Sequence, residues 1–228
     1  MIGVIDIGNT NIHCGLFINK SLKKESKIDD PLGIKEFFKG ASEILSISVV
    51  PEKEKLIHDL TNMEMVPFPR ELIQLNYDSE PGADRLANGL SAMEDVGLPV
   101  IVVDSGSAIT IDDFSKPSMK GYLVKFNGGA ILPGLKWFFS SLSRGKTLPK
   151  VKLELKDTPG RSTEGCIKFG GYGALVGGIK EILNLMDYKN KKLIFTGGDG
   201  SEFSKYFNAD YDPFLTLKGG IIAYHHIR

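Results

Sequence analysis

The sequence predicts an α/β protein built from two related halves, and three observations carry that expectation. A short phrase occurs twice, as Val4-Ile5-Asp6-Ile7-Gly8-Asn9-Thr10 and again as Val102-Val103-Asp104-Ser105-Gly106-Ser107-Ala108. Stacked repeats recur every roughly 20–45 residues; these copies lie much further apart, at the spacing of a duplicated domain. In each copy an apolar run ends in Asp, turns at Gly and continues with alternating residues, so each reads as strand–turn–strand. A chain of 228 residues is about one and a half typical domains, which leaves room for two small ones. No low-complexity linker divides it. The best boundary lies at Leu98-Pro99, giving an N-terminal domain over 1–98 and a C-terminal domain over 99–228, with the last helix able to pack back on the first.

Taken in order, residues 3–7 form a compact apolar strand ending at the Gly8-Asn9 turn. Ile12, Cys14 and Leu16 then alternate with His13, Gly15 and Phe17, the period of a strand. Residues 44–50 read as another strand. Pro51 opens a polar helix to residue 60, since Pro suits the first helical position. Pro81-Gly82-Ala83-Asp84-Arg85 precedes Leu86, Leu90 and Met93 at helical spacing, and Gly97 ends that helix. Asp84 and Arg85 therefore belong to its first turn. Residues 100–103 make a buried strand, Ile109 and Ile111 alternate beyond the second turn, and residues 121–126 extend the sheet. Residues 128–134 read as a glycine-rich loop leading into a helix around Trp137. Leu175, Val176, Ile179, Ile182, Leu183 and Met186 predict one long amphipathic helix. Residues 192–195 form a strand ending in Thr196-Gly197-Gly198, and a last helix runs from about Gly219.

Bulk properties exclude several classes. The chain has 28 basic and 28 acidic residues, so it lacks the basic excess that neutralises nucleic-acid phosphates, and no nucleic-acid partner is expected. No apolar run approaches the roughly 18 residues of a membrane span, and the N-terminus enters a strand without a leader pattern. A cytoplasmic protein with no membrane attachment is the expectation. Cys14 and Cys166 are expected to be free core thiols. His13, His58, His225 and His226 show no metal-ligand spacing.

The two Asp-x-Gly turns carry the chemistry. An Asp cannot face phosphate without a cation between them, carboxylate on one side and phosphate oxygens on the other. Gly lets backbone amides approach phosphate closely, and Asn, Thr or Ser adds donors. One such turn could simply close a hairpin; two at strand ends favour a bound metal–phosphate complex. Asp84 could be a helix cap. It is also the carboxylate left to accept a proton from an attacking hydroxyl, with Arg85 as its ion-pair partner or an anion holder. Gly145-Lys146-Thr147 looks like the end of a P-loop, but that motif needs Gly where Ser140 stands. Trp137-Phe138-Phe139 reads as core or interface.

Together these phrases resemble the type III pantothenate kinase family of the actin-like, sugar-kinase-like ATPases. Asp6-Ile7-Gly8-Asn9-Thr10-Asn11 is similar to its first phosphate motif, Gly82-Ala83-Asp84-Arg85 with Asn88 to its catalytic motif, and residues 104–110 to its second phosphate motif. Gly128-Gly129, Ile131, Pro133-Gly134, Thr147-Leu148-Pro149, Thr163 and Thr196-Gly197-Gly198 complete the series. The resemblance implies two ribonuclease H-like domains with ATP in the cleft between them, and phosphorylation of pantothenate as the first step towards coenzyme A. It implies Asp84 as general base, Asp6 placing the Mg2+ of ATP, and Asp104 holding a monovalent cation, K+ or NH4+. Asp6, Ile7, Gly8, Asn9, Thr10, Asn11 and Ser107 would hold the nucleotide; Gly82, Ala83, Asp84, Arg85 and Thr163 would line the pantothenate site. A homodimer with that site near the subunit interface is implied too.

The chain departs from the family in three ways. Ser107 stands where Thr is usual, which keeps the hydroxyl. The segment 77–81 is shortened, so no substrate role passes to Tyr77. The chain is short for the family, mostly in its first domain. Two rival readings remain: a non-catalytic nucleotide-binding relative acting as an accessory factor, and another kinase or phosphatase of the superfamily. Retention of Asp6, Asp84, Arg85 and Asp104 argues against the first, and the Gly-Ala-Asp-Arg segment against the second.

Overall fold

The computed structural model describes residues 1–144 and 148–228. The Gly145-Lys146-Thr147 phrase, and with it the Thr147 correspondence, lies outside the described residues. The chain divides into two compact units: Met1–Leu98, Phe114–Asn127 and Phe214–Arg228 in the first, Pro99–Asp113 and Gly128–Pro213 in the second.

In the first unit the chain enters β1 (Ile2–Ile7), β2 (Ile12–Ile18) and β3 (Ser21–Lys27), then α1 (Pro31–Phe37), β4 (Glu43–Ser48), α2 (Pro51–Thr61), β5 (Val66–Pro67), β6 (Ile73–Leu75) and α3 (Ala83–Asp95). One sheet runs in the order β3-β2-β1-β4-β5. Its middle strand β1 lies antiparallel to β2 and parallel to β4, so Asp6 pairs with His13 on one side and Ile47 on the other. A middle strand is covered on both faces, which explains why Val4, Ile5 and Ile7, on either side of Asp6, are all fully buried. The edge strand β3 is polar and mostly exposed, as edge strands tend to be, and so carries no apolar alternation to read from sequence. Helix α1 buries only Ile34 and Phe37, too few for a periodicity; Asp30 caps it by accepting the Gly33 N–H at 2.7 Å. Helix α2 starts on Pro51 and stops where Asn62 turns left-handed at φ 53°.

The second unit continues with β7 (Val100–Ser105), β8 (Ala108–Ser115), β9 (Val124–Pro133), α4 (Leu135–Leu142), α5 (Thr163–Gly171), α6 (Gly178–Leu185), β10 (Lys192–Thr196), α7 (Gly200–Phe207) and β11 (Asp210–Tyr211). Helix α8 (Leu215–Ile227) then belongs to the first unit again. The strand order is β11-β10-β7-β8-β9. The parallel register of β10 on β7 sets Thr196 beside Asp104. The far end of β8 and the start of β9 are residues of the first unit, where Ile73 and Leu75 of β6 pair with Val124 and Phe126. The second unit's core joins Ile101, Val103, Ile109 and Ile111 of the sheet to Ile179, Leu183 and Phe203 of its helices.

Several sequence expectations are corrected. Residues 128–133 are not a loop but the second half of β9. A Cβ on Gly129 would lie 1.9 Å from the Ile111 carbonyl oxygen, so glycine is needed there for close strand approach, and it mimics a loop signal. The expected long helix over 175–186 is interrupted by a π-helical segment, Tyr172–Gly177, between α5 and α6. Glycines at 170, 171, 173, 177 and 178 weaken the α-helical preference around it. The last helix starts at Leu215, before Gly219, because Leu215 and Leu217 are already fully buried. Cys14 is buried as expected, but Cys166 is exposed. Trp137 is 57% exposed while Phe139 is buried, so the aromatic cluster is only partly core. Among the described residues no helix is long and apolar enough to cross a membrane.

Candidate active site

In the first unit, β1 and β2 meet at a tight turn. The Gly8 N–H donates to the Asn11 carbonyl at 3.1 Å, closing it. Asp6 is partly buried at the end of β1, and Asn9, Thr10 and Asn11 are exposed on the turn. Ile7 is fully buried, so it can offer the turn only its backbone. From α2, the Lys53 ammonium donates to the carbonyls of Gly8 at 3.0 Å and Asn9 at 2.7 Å. Behind the turn, burial and then the Asp6 charge push the Cys14 thiol up to about 12, so it stays protonated and inert.

The start of α3 belongs to the same unit. Asp84 Oδ1 accepts the backbone N–H of Arg85 at 2.8 Å. A Cβ on Gly82 would come within 2.4 Å of that oxygen, so the carboxylate folds back over the Gly82 position and a larger residue there would displace it. Burial raises the Asp84 carboxyl above its ordinary range; the Arg85 N–H and the charges of Arg85 and Arg70 pull the other way. Arg70 also donates to the Pro81 carbonyl, tying down the entry to the helix. The Arg85 guanidinium is buried over the rings of Phe126, 5.1 Å from its centroid, and Tyr77, at 5.7 Å. Asn88 accepts a hydrogen bond from the Thr216 hydroxyl at 2.8 Å, joining α3 to α8.

In the second unit, the Gly106 N–H donates to Ala108 O at 2.9 Å, and the turn between β7 and β8 is held by two further strand-end contacts. Ser107 O accepts the Gly134 N–H at 3.1 Å, and Ser105 O accepts the Asp199 N–H at 3.0 Å. Gly197 has φ +83°, and a Cβ there would lie 2.4 Å from Asp104 Oδ1 and 2.5 Å from Ser105 O. The Tyr211 hydroxyl donates to the Gly197 carbonyl at 3.2 Å. Burial raises Asp199 and Tyr211, and for Tyr211 the charges of Asp212, Asp104 and Asp199 add to it. Thr163 is exposed at the first position of α5, whose cap Ser162 accepts the Gly165 N–H at 3.1 Å.

Thus Asp6, Ile7, Gly8, Asn9, Thr10, Asn11, Gly82, Ala83, Asp84 and Arg85 lie in the first unit, and Asp104, Ser107 and Thr163 in the second. Sequence reasoning passed over Lys53 and Arg70. Lys53 stands in Pro51-Glu52-Lys53-Glu54-Lys55, which reads as a solvated helix face, and no pattern points from it to the distant Gly8.

Comparison with known proteins adds a family. The model described as "Type III pantothenate kinase" matches residues 3–185. A protein named Type III pantothenate kinase from Persephonella marina is 33% identical over 260 aligned residues, covering 99% of either chain. Among solved structures, one from Campylobacter jejuni described as a "conserved putative Baf family transcriptional activator" is 26% identical with TM-score 0.70, covering 99% of this chain and 100% of that one. Component A of (R)-2-hydroxyglutaryl-CoA dehydratase from Acidaminococcus fermentans aligns at TM-score 0.59 and 11% identity, over 98% of this chain and 96% of its own, a likeness of fold alone. The two-sheet α/β architecture is shared, as a likeness of fold alone, with that structure and with EutJ from Carboxydothermus hydrogenoformans, at TM-score 0.56 and 13% identity over 97% of this chain and 89% of that one.

Proposed function

The chain belongs to the type III pantothenate kinase family, and from that premise we propose how its own residues carry out the reaction. The protein is a kinase that phosphorylates pantothenate with ATP in coenzyme A biosynthesis. Asp84 is the general base. What carries this assignment is a partly buried carboxylate, oriented by the Arg85 N–H at the start of α3, whose proton affinity burial raises. The pantothenate hydroxyl oxygen bonds to the γ-phosphorus of ATP, the bond to the bridging oxygen breaks, ADP leaves, and Asp84 takes the hydroxyl proton. Gly82, Ala83 and Arg85 of the first unit bind pantothenate, and Asn9, Thr10 and Asn11 of that unit hold phosphate oxygens.

Two cations fit the residues present. Among the described residues no group of three or more His, Cys, Asp or Glu could hold a metal. Asp6 would hold the Mg2+ of ATP, because Mg2+ is commonly held by one or two carboxylates and the phosphates themselves. Asp104 Oδ1 and the Ser105 carbonyl crowd the same Gly197 position, an all-oxygen donor set suited to a hard cation such as K+ or NH4+. When bound, these cations offset phosphate charge. The protein works as a cytoplasmic homodimer. The accessory-factor reading, favoured by the Campylobacter description, requires none of the retained carboxylates Asp6, Asp84 and Asp104.

The test is ADP release by the purified protein with Mg2+, with and without pantothenate, in potassium, ammonium or sodium salts. Release that needs pantothenate and one of the larger cations is expected. No pantothenate-dependent release in any salt, from folded protein, overturns the kinase reading; equal release in sodium overturns the cation assignment.

A further inference from the structure

We propose that Lys53 is a positioning residue for the phosphate turn, holding two carbonyls so that the next two N–H groups are turned towards the ATP phosphates. The proposal rests on the reading that residues 6–11 hold phosphate. Lys53 stands in the first turn of α2 and is half-buried. Its helical neighbours at i+3 and i+4 are Leu56 and Ile57, which offer no carboxylate. The ammonium instead reaches across to Gly8 O at 3.0 Å and Asn9 O at 2.7 Å.

The consequence follows from peptide geometry. In a planar trans peptide the carbonyl of one residue and the N–H of the next point in opposite directions. Drawing the Gly8 and Asn9 carbonyls onto one ammonium therefore sends the Asn9 and Thr10 N–H groups away from α2. Consecutive N–H groups pointing the same way make an anion-binding concavity. The Gly8 N–H takes no part, because it closes the turn on Asn11 O at 3.1 Å. The ammonium also leaves a fixed positive charge behind the turn, which favours a polyphosphate in front of it.

The experiment compares wild type with Lys53→Met, Lys53→Gln, Lys53→Arg and Asp6→Asn, measuring KM for ATP, KM for pantothenate, kcat, ADP affinity by calorimetry, and Tm. Lys53→Met is expected to raise the KM for ATP and weaken ADP binding about tenfold, the scale of one charge-assisted hydrogen bond. The KM for pantothenate should stay close to wild type. Lys53→Arg, which keeps the charge and offers two donors for two carbonyls, should restore ATP affinity, with Lys53→Gln in between. If Lys53→Met fails to fold, Lys53→Gln carries the same comparison. A lowered Tm with unchanged ATP and ADP affinity makes Lys53 merely structural and overturns the proposal. Unchanged ATP affinity in Asp6→Asn overturns the phosphate reading of the turn instead.

Discussion

Opposed influences act on the carboxylate of Asp84, the proposed general base. Burial raises its proton affinity, while the Arg85 N–H, Arg85 and Arg70 restrain the rise. A folded pKa above the unfolded one means that the native state binds the proton more tightly. That stabilisation is fully present below the unfolded Asp value of about 3.9 and is lost as pH rises through the folded pKa. The ionised form of the carboxylate is therefore a burden on the fold. Asp84→Asn removes the charge and keeps an oxygen to accept the Arg85 N–H. It should lower kcat by about 10²–10⁴, with a Tm at pH 7 no lower than wild type. Loss of activity together with a lowered Tm would make Asp84 a structural cap. The two cysteines diverge for related reasons. Cys14 is buried with its pKa pushed up to about 12, and Cys166 is exposed. A thiol reagent should modify one cysteine rapidly in native protein and two in denaturant, with Cys166 the native target; native modification of Cys14 would contradict its burial.

At the scale of elements, legibility followed burial. Strands β1 and β7 showed in the sequence because both are covered on two faces and so read as continuous apolar runs. The positions of Asp6 and Asp104 near strand ends and of Asp84 in the first turn of α3 were legible too, because each adjoins a buried apolar run. The second half of β9 and the π-helical break before α6 were not, because Gly129 serves close strand packing and reads as a loop signal, and the apolar periodicity over 175–186 does not register a π-helical segment. Lys53 was illegible because its partners are backbone carbonyls, which carry no residue type. The Thr196-Gly197-Gly198 turn was a weak signal whose meaning depends on what lies beside it. Gly197 has φ +83°, and Asp104 Oδ1 and Ser105 O occupy the space of a side chain. Gly197→Ala meets both a left-handed backbone, costing about 1–2 kcal/mol, and a clash with the Asp104 carboxylate. Catalytic efficiency should fall at least about tenfold, and stimulation by potassium or ammonium should weaken with it. Full stimulation in that variant would separate the turn from the cation.

At the scale of the whole molecule, the order of the chain and the order of its units differ. The first unit is closed by the last residues, 214–228, a return that the apolar terminal helix allowed for without its periodicity naming the surface it covers. Helix α8 packs on β1, β2, β4 and α3. Its Gly219 lets it approach so closely that a Cβ would lie 1.9 Å from the Ala87 carbonyl oxygen, and Gly220 meets Val4 and Ile47. The helix thus backs both β1, which carries Asp6 near its end, and α3, which carries Asp84 in its first turn, while contributing none of the proposed site residues itself. It buries Leu215, Leu217, Ile221 and Ile222. At about 1.5–3 kcal/mol per side chain these supply roughly 6–12 kcal/mol, comparable with the roughly 5–15 kcal/mol that holds a typical domain folded. A chain ending at Pro213 should therefore lose pantothenate-dependent ADP release and the cooperative unfolding of its first unit, although every proposed catalytic and binding residue is still present. Gly219→Val, which keeps the helix but forces it off α3, should reproduce the defect in milder form, with a lowered Tm and reduced kcat. Near-normal turnover by the truncated chain would show that β1 and α3 hold their active geometry without the helix behind them.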